Sequence, residues 1–121
     1  MVSHPAPDER DAQLSALHAD AVARLSALDD SMRQLRSDRG ADVADDEHDP
    51  EGVTLSSEWA RLAGLRAGVA RELDEIDGAV DRRAAGADGI CADCGRGIPI
   101  ERLLARPTAT RCVDCAAKAG G

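Results

Sequence analysis

Residues 91–115 read CADCGRGIPIERLLARPTATRCVDC. Two Cys-x2-Cys pairs, Cys91 with Cys94 and Cys112 with Cys115, are separated by seventeen residues. This is the spacing of a four-cysteine zinc site. Two residues between cysteines allow a tight turn to aim both sulfurs at one ion, and Gly95, just past the first pair, eases that turn. Two such knuckles supply a closed tetrahedral thiolate set with no position left for water or substrate, so the sequence predicts one structural Zn2+. The apolar residues available to the segment are Ile90, Ile98, Ile100, Leu103, Leu104 and Val113. So small a core needs the metal to fold, and structural zinc supplies roughly 10–16 kcal/mol in finger-sized peptides. Two disulfides or a redox-active Cys-x-x-Cys are the competing readings. The redox motif ordinarily accompanies a βαβ pattern, absent here, and a reducing compartment favours metal over disulfides. Histidine ligation is not expected, because His4, His18 and His48 all lie outside the module. Between the knuckles, Ile100 to Ala105 suits a short helix that Pro107 ends.

Upstream of the module, Gly86 and Gly89 mark the end of a helix. Leu55, Trp59, Leu62, Leu65, Val69, Leu73, Ile76 and Val80 recur at steps of three and four, an amphipathic stripe. Leu14, Ala21, Leu25, Leu28, Met32 and Leu35 make a matching stripe, with His18 in its one polar slot. Gly64 and Gly68 lie inside the second stripe, each costing about 1 kcal/mol against Ala. They read as plain local weakness more readily than as a seam for close backbone approach. Between the stripes, residues 38–53 read SDRGADVADDEHDPEG, seven acids against Arg39. Gly40, Pro50 and Gly52 punctuate this segment. Asp49-Pro50 resembles a cap followed by proline at the first helical position, with Thr54 as the other candidate cap. Pro5 and Pro7 mark residues 1–7 as a disordered lead, after which Asp8 or a neighbour can cap the first helix.

The fold class expected is therefore mainly α. Residues 8–85 form a long antiparallel helical hairpin of the coiled-coil kind with an acidic tip loop near 38–53, and residues 86–121 form a small four-cysteine zinc finger. Arms of about 28 residues are roughly 40 Å long at 1.5 Å per residue. A bundle or a dimeric coiled coil is the other arrangement open to such stripes.

Composition limits function. Phe and Tyr are absent and Trp59 is the only aromatic, so a thick globular core is not expected. The formal charge of −8 opposes broad duplex binding, which needs clustered Lys and Arg. Residues 86–121 are nearly balanced, with Arg96, Arg102, Arg106, Arg111 and Lys118 against Asp88, Asp93, Glu101 and Asp114. Those arginines can still meet phosphates or carboxylates locally. No apolar run approaches a membrane span, and the N-terminus lacks the basic start and apolar run of a signal peptide. A cytoplasmic protein is expected.

The run from Cys91 to Ala116 resembles the zinc finger of the DksA/TraR family of RNA polymerase-binding regulators. The likeness rests on Cys-x-x-Cys-Gly from Cys91, Ile98-Pro99, Glu101-Arg102-Leu103, Ala105-Arg106-Pro107 and Arg111-Cys112-x-x-Cys115. The hairpin upstream extends it as architecture. The resemblance implies a regulator that docks on core RNA polymerase at the secondary channel and inserts its hairpin toward the active site. It implies acidic tip residues there, for which Asp45, Asp46, Glu47 and Asp49 are the candidates in this sequence. The family's tip motif is Asp-Pro-x-Asp-x-Ala. Here Asp49-Pro50 matches its first pair, while Gly52 and Thr54 stand where the second Asp and the Ala belong. The sequence ends six residues after Cys115, so the family's long C-terminal helix is expected to be missing, and modulation by an alarmone is not supported. Sequence-specific DNA binding and catalysis are not expected, since an exposed acidic loop offers no pocket. The alternatives are a zinc-stabilised adaptor for another protein and a nucleic-acid-binding finger.

Overall fold

The structure, a computed structural model, describes residues 7–42 and 50–120, with side chains for 9–38 and 54–120. Four helices follow in order: α1 over Pro7–Asp42, α2 over Pro50–Ala84, α3 over Ile100–Ala105 and α4 over Val113–Lys118. The only β pairing among the described residues is an isolated antiparallel bridge between Ile90 and Gly97. Both long helices open on a proline, whose missing N–H is an orphan at that position anyway and whose φ is already helical. Thus α2 starts at Pro50, and Thr54 lies within it. Asp8 likewise lies within α1.

The two long helices also take residues from both ends of the acidic segment. α1 continues through Gly40 to Asp42, and α2 already includes Pro50 to Val53. Gly40 weakens a helix without forbidding it, and no proline lies between Pro7 and Pro50 to stop α1. Residues 1–6 and 43–49 lie outside the described residues, and with them the tip candidates Asp45, Asp46, Glu47 and Asp49.

The described residues form two compact units. One contains Ala19–Leu73; the other contains the chain up to His18 together with Asp74 onward. In the first unit, Arg24 places both terminal nitrogens on the Glu72 carboxylate at 3.0 and 2.8 Å, and Arg66 Nε donates to Asp29 Oδ1 at 2.5 Å. As position rises from 24 to 29 in α1, its partner falls from 72 to 66 in α2, so the helices run antiparallel. Arg36 stacks over Trp59, 5.2 Å from the ring centroid. The apolar seam is thin: Ala21, Leu62 and Val69 are buried, while Leu25, Leu28, Met32, Leu35, Leu55, Trp59 and Leu73 are half-buried.

The second unit holds the other ends of α1 and α2 and the finger. Leu14, Ile76 and Ala79 are buried there. Pairing is again antiparallel, with Asp11 bonded to Arg83 and His18 3.5 Å from Asp77. His18 occupies its polar slot on the surface.

The stripe along α2 needs two corrections. Leu65 and Val80 are 47% and 45% exposed. Between buried Leu62 and Val69 it is Arg66 that reaches α1, donating to Asp29, while Leu65 faces water. Ala79, three after Ile76, takes the buried place assigned to Val80. Gly64 and Gly68 mark no close approach: a Cβ on Gly64 meets nothing within 4 Å, and one on Gly68 meets only Arg71 Nη2 at 3.8 Å.

α2 ends in a Schellman turn. Gly86 takes φ +76°, its N–H donates to Arg83 O at 3.1 Å, and the Ala87 N–H donates to Arg82 O at 2.8 Å. Arg82 and Arg83 sit where the helix dipole favours cations. This turn delivers Asp88 and Gly89 to the start of the finger.

Candidate metal centre

The first knuckle is built by backbone bonds around Cys91. Its N–H donates to Arg96 O at 2.7 Å, and its carbonyl accepts from the Gly95 N–H at 3.0 Å. Gly95, expected from the sequence to ease this turn, holds φ +75°, in the left-handed region. The second knuckle is the start of α4: Cys112 precedes its first residue, and the Cys112 and Cys115 carbonyls accept from the Ala116 and Ala119 N–H groups. The Ala92 N–H donates to Thr110 O at 2.8 Å, Arg111 Nε donates to Asp93 at 2.8 Å, and Arg102 Nε donates to Arg111 O at 2.6 Å, tying the knuckles together.

The four sulfurs of Cys91, Cys94, Cys112 and Cys115 all lie within 4.8 Å of one another. A zinc ion with Zn–S bonds of about 2.3 Å requires tetrahedral S–S edges of about 3.8 Å. Cys94 Sγ and Cys112 Sγ are 3.8 Å apart. The donor set thus fits one structural zinc with no vertex left for substrate. No other cluster of this kind occurs among the described residues.

The thiols are unequal before metal binds. The Cys94 backbone N–H, then that of Cys112, draws the Cys91 thiol down to about 6. Thiol hydrogen bonds, first with Cys112 and then with Cys91, push Cys115 up to about 12. The ion supplies the positive charge that lets four thiolates coexist, releasing protons as it binds.

Packing around the site is sparser than the sequence suggests. Only Ile98 and Leu103 join Cys91 in the buried cluster, with Cys112 and Cys115 against it. Ile90, Val113 and Leu104 are exposed, Leu104 by 64%. α3 has six residues and buries only Leu103, and α4, of equal length, has no buried residue.

Sequence reasoning missed the residues that join the finger to α1. Arg10 is 1% exposed. Its Nε and Nη2 donate to both Asp88 oxygens at 2.8 and 2.9 Å, and Nη2 also donates to Pro107 O at 2.7 Å. Its Nη1 donates to Gln13 Oε1 at 2.6 Å, and Gln13 Nε2 donates to Leu103 O at 3.4 Å. A lone arginine near the start of an amphipathic helix gives no periodic signal, so the available sequence clue is weak. Beside the finger, Arg102, Arg106 and Arg111 line an open groove with Thr108, Thr110 and Glu75. Arg111 is paired with Asp93, so Arg102 and Arg106 against Glu75 leave the groove slightly basic on an acidic chain.

Residues 89–119 match the family described as the prokaryotic dksA/traR C4-type zinc finger. The cysteine module is similar to the DksA/TraR zinc finger over those residues. That match spans both knuckles, α3 and α4. No curated protein matches the chain by sequence. Among solved structures, transcription factor DksA2 from Pseudomonas aeruginosa superposes with a TM-score of 0.59 at 24% identity, over 97% of this chain and 91% of that one. The likeness shows that the helices and the finger together make a DksA-type fold. No helix among the described residues is long and apolar enough to cross a membrane.

Proposed function

We propose that the protein is a cytoplasmic transcription regulator that docks on core RNA polymerase at the secondary channel and inserts its helical hairpin toward the active site. The observation that carries this reading is a finger similar to the DksA/TraR zinc finger joined to two long antiparallel helices. In this reading the zinc holds the base, and the working groups are the carboxylates of Asp45, Asp46, Glu47 and Asp49. Carboxylates concentrated on a slim arm attract basic residues or magnesium in a confined channel. The closed cysteine set gives the metal a structural role, not a catalytic one. The slightly basic groove at Arg102, Arg106 and Arg111 suits carboxylates or phosphates on a partner's surface, whereas the chain's net charge disfavours free duplex DNA.

The test measures binding to purified core polymerase and its effect on transcript initiation. Wild type should bind one to one. The variant carrying Asp45→Asn, Asp46→Asn, Glu47→Gln and Asp49→Asn should bind comparably and lose the effect on initiation. A variant that regulates like wild type would refute the tip mechanism. Recovery of another protein without polymerase would instead make the chain a zinc-stabilised adaptor.

A further inference from the structure

We propose that Arg10 is a positioning residue for the zinc site, a latch that forms fully only when the metal has closed the finger and that in turn strengthens metal binding. The argument rests on where its acceptors come from. Asp88 lies three residues before Cys91, and Pro107 five before Cys112. One guanidinium bonds both, at 2.8 and 2.9 Å to the Asp88 carboxylate and 2.7 Å to the Pro107 carbonyl. Gln13, one turn along α1, bonds Arg10 and reaches the Leu103 carbonyl in the same inter-knuckle segment. Those acceptors belong to the approaches to different knuckles, and the ion is what fixes the two knuckles together.

Besides the ion, the ties between the knuckles are the Ala92–Thr110 backbone bond, the Arg111–Asp93 pair and the bond from Arg102 to the Arg111 carbonyl. The buried cluster of the finger has just two apolar residues besides cysteine, Ile98 and Leu103. When the metal leaves, the four sulfurs lose their shared centre and the inter-knuckle segment loses that closure. A buried guanidinium then faces acceptors no longer held in place, which is a costly position for a charge. It moves into water, and the first turns of α1 lose their anchor to the finger. Linkage makes the effect mutual: whatever the ion contributes to the latch, the latch returns to the ion's affinity. The Asp88 carboxylate has a second neighbour, Arg83 Nη1 at 3.6 Å.

The experiment uses the full chain. Zinc affinity is measured by competition with a chromogenic chelator for wild type, Arg10→Met, Arg10→Lys and Arg24→Met. Losing two or three charge-assisted bonds should weaken zinc binding about ten- to a hundredfold in Arg10→Met. Arg10→Lys keeps the charge but lacks the fork that spans both acceptors, and should fall between. Arg24→Met removes an exposed pair in the other compact unit and should leave affinity within about twofold. Independently, wild type is digested with trypsin with and without a strong zinc chelator, reading cleavage after Arg10 by mass. The zinc form should resist cleavage there, and chelation should expose it.

Equal zinc affinity in wild type and Arg10→Met would overturn the proposal. So would an equal loss in Arg24→Met, which would mark general destabilisation. Should Arg10→Met fail to fold, the tryptic comparison on wild type and the Arg10→Lys affinity decide: unchanged protection of Arg10 after chelation refutes the latch.

Discussion

Replacing glycines inside α2 by alanine tests whether that helix is merely weak or is shaped for contact. Gly64 is exposed, and a Cβ there meets no atom within 4 Å. Its φ is not among the positive ones, so alanine needs no change of backbone. Gly64→Ala should therefore recover the full difference in helix propensity, about 0.8–1.0 kcal/mol. Unfolding entropy near 2.1 cal/mol/K per residue gives about 0.25 kcal/mol/K for this chain, so Tm should rise by about 3–4 °C. Gly68→Ala should match it, since its only neighbour is Arg71 Nη2 at ordinary contact distance, 3.8 Å. Gly78→Ala should gain less, because its Cβ approaches Arg82 Nη1 at 3.3 Å and that side chain must move aside. The assay is thermal unfolding of the zinc-loaded protein followed by far-ultraviolet circular dichroism, with urea unfolding as a check on the slope. A fall of several degrees in Gly64→Ala would refute the reasoning. It would mean that another surface, a second copy or a partner helix, closes on that glycine in solution.

Three further outcomes follow from burial and charge. Leu62→Ala should cost about 2–4 kcal/mol in urea unfolding, whereas Leu65→Gln should stay within about 0.5 kcal/mol, because only Leu62 is on the seam. Leu103→Ala should cost a similar 2–4 kcal/mol and lower zinc affinity with it, since Leu103 is one of two apolar side chains in the finger's buried cluster. Arg10 first, with Arg83 and Arg82 behind it, holds the Asp88 carboxyl below the usual carboxylate range. A depressed folded-state value means stability that is present above the unfolded value of about 3.9 and is lost as pH falls through the folded one. Asp88→Asn should thus lower stability at pH 7 and flatten the acid limb below about pH 4; an unchanged acid limb in a pH series of urea midpoints would count against the pairing.

The zinc site was legible because ligand spacing encodes it directly: two residues inside each pair and seventeen between leave little freedom in how four sulfurs meet. The long helices were legible from three-and-four spacing and from Asp49-Pro50. Register was less so. Leu65 and Arg66 flank the line from Leu62 to Val69 about equally at 100° per residue, so hydrophobicity chooses Leu65, whereas the Asp29 carboxylate across the pair takes Arg66. The finger's core was overcounted for a related reason. A six-residue helix has one inner face, so Leu103 is buried and Leu104 is not. Arg10 was invisible because its value lies in acceptors at Asp88 and Pro107, and no local pattern joins position 10 to position 107. The tip candidates, by contrast, lie in residues 43–49 and remain a reading of the sequence.

The bond from Arg10 to Pro107 joins groups 97 positions apart. Closing so long a loop in one step is slow as well as entropically costly. The antiparallel pairing of α1 and α2 shortens the problem, since each ion pair formed between the helices carries the beginning of the chain nearer to the region after Ala84. On the ribosome, where synthesis runs in one direction, the residues of Ala19–Leu73 can pair before any cysteine has been made. The arginine at position 10 must wait until Cys112 and Cys115 have emerged and a metal has been captured. Supply of zinc to the nascent chain therefore times the completion of the base, and a zinc-starved cell would accumulate chains whose helices are paired at one end and unfastened at the other.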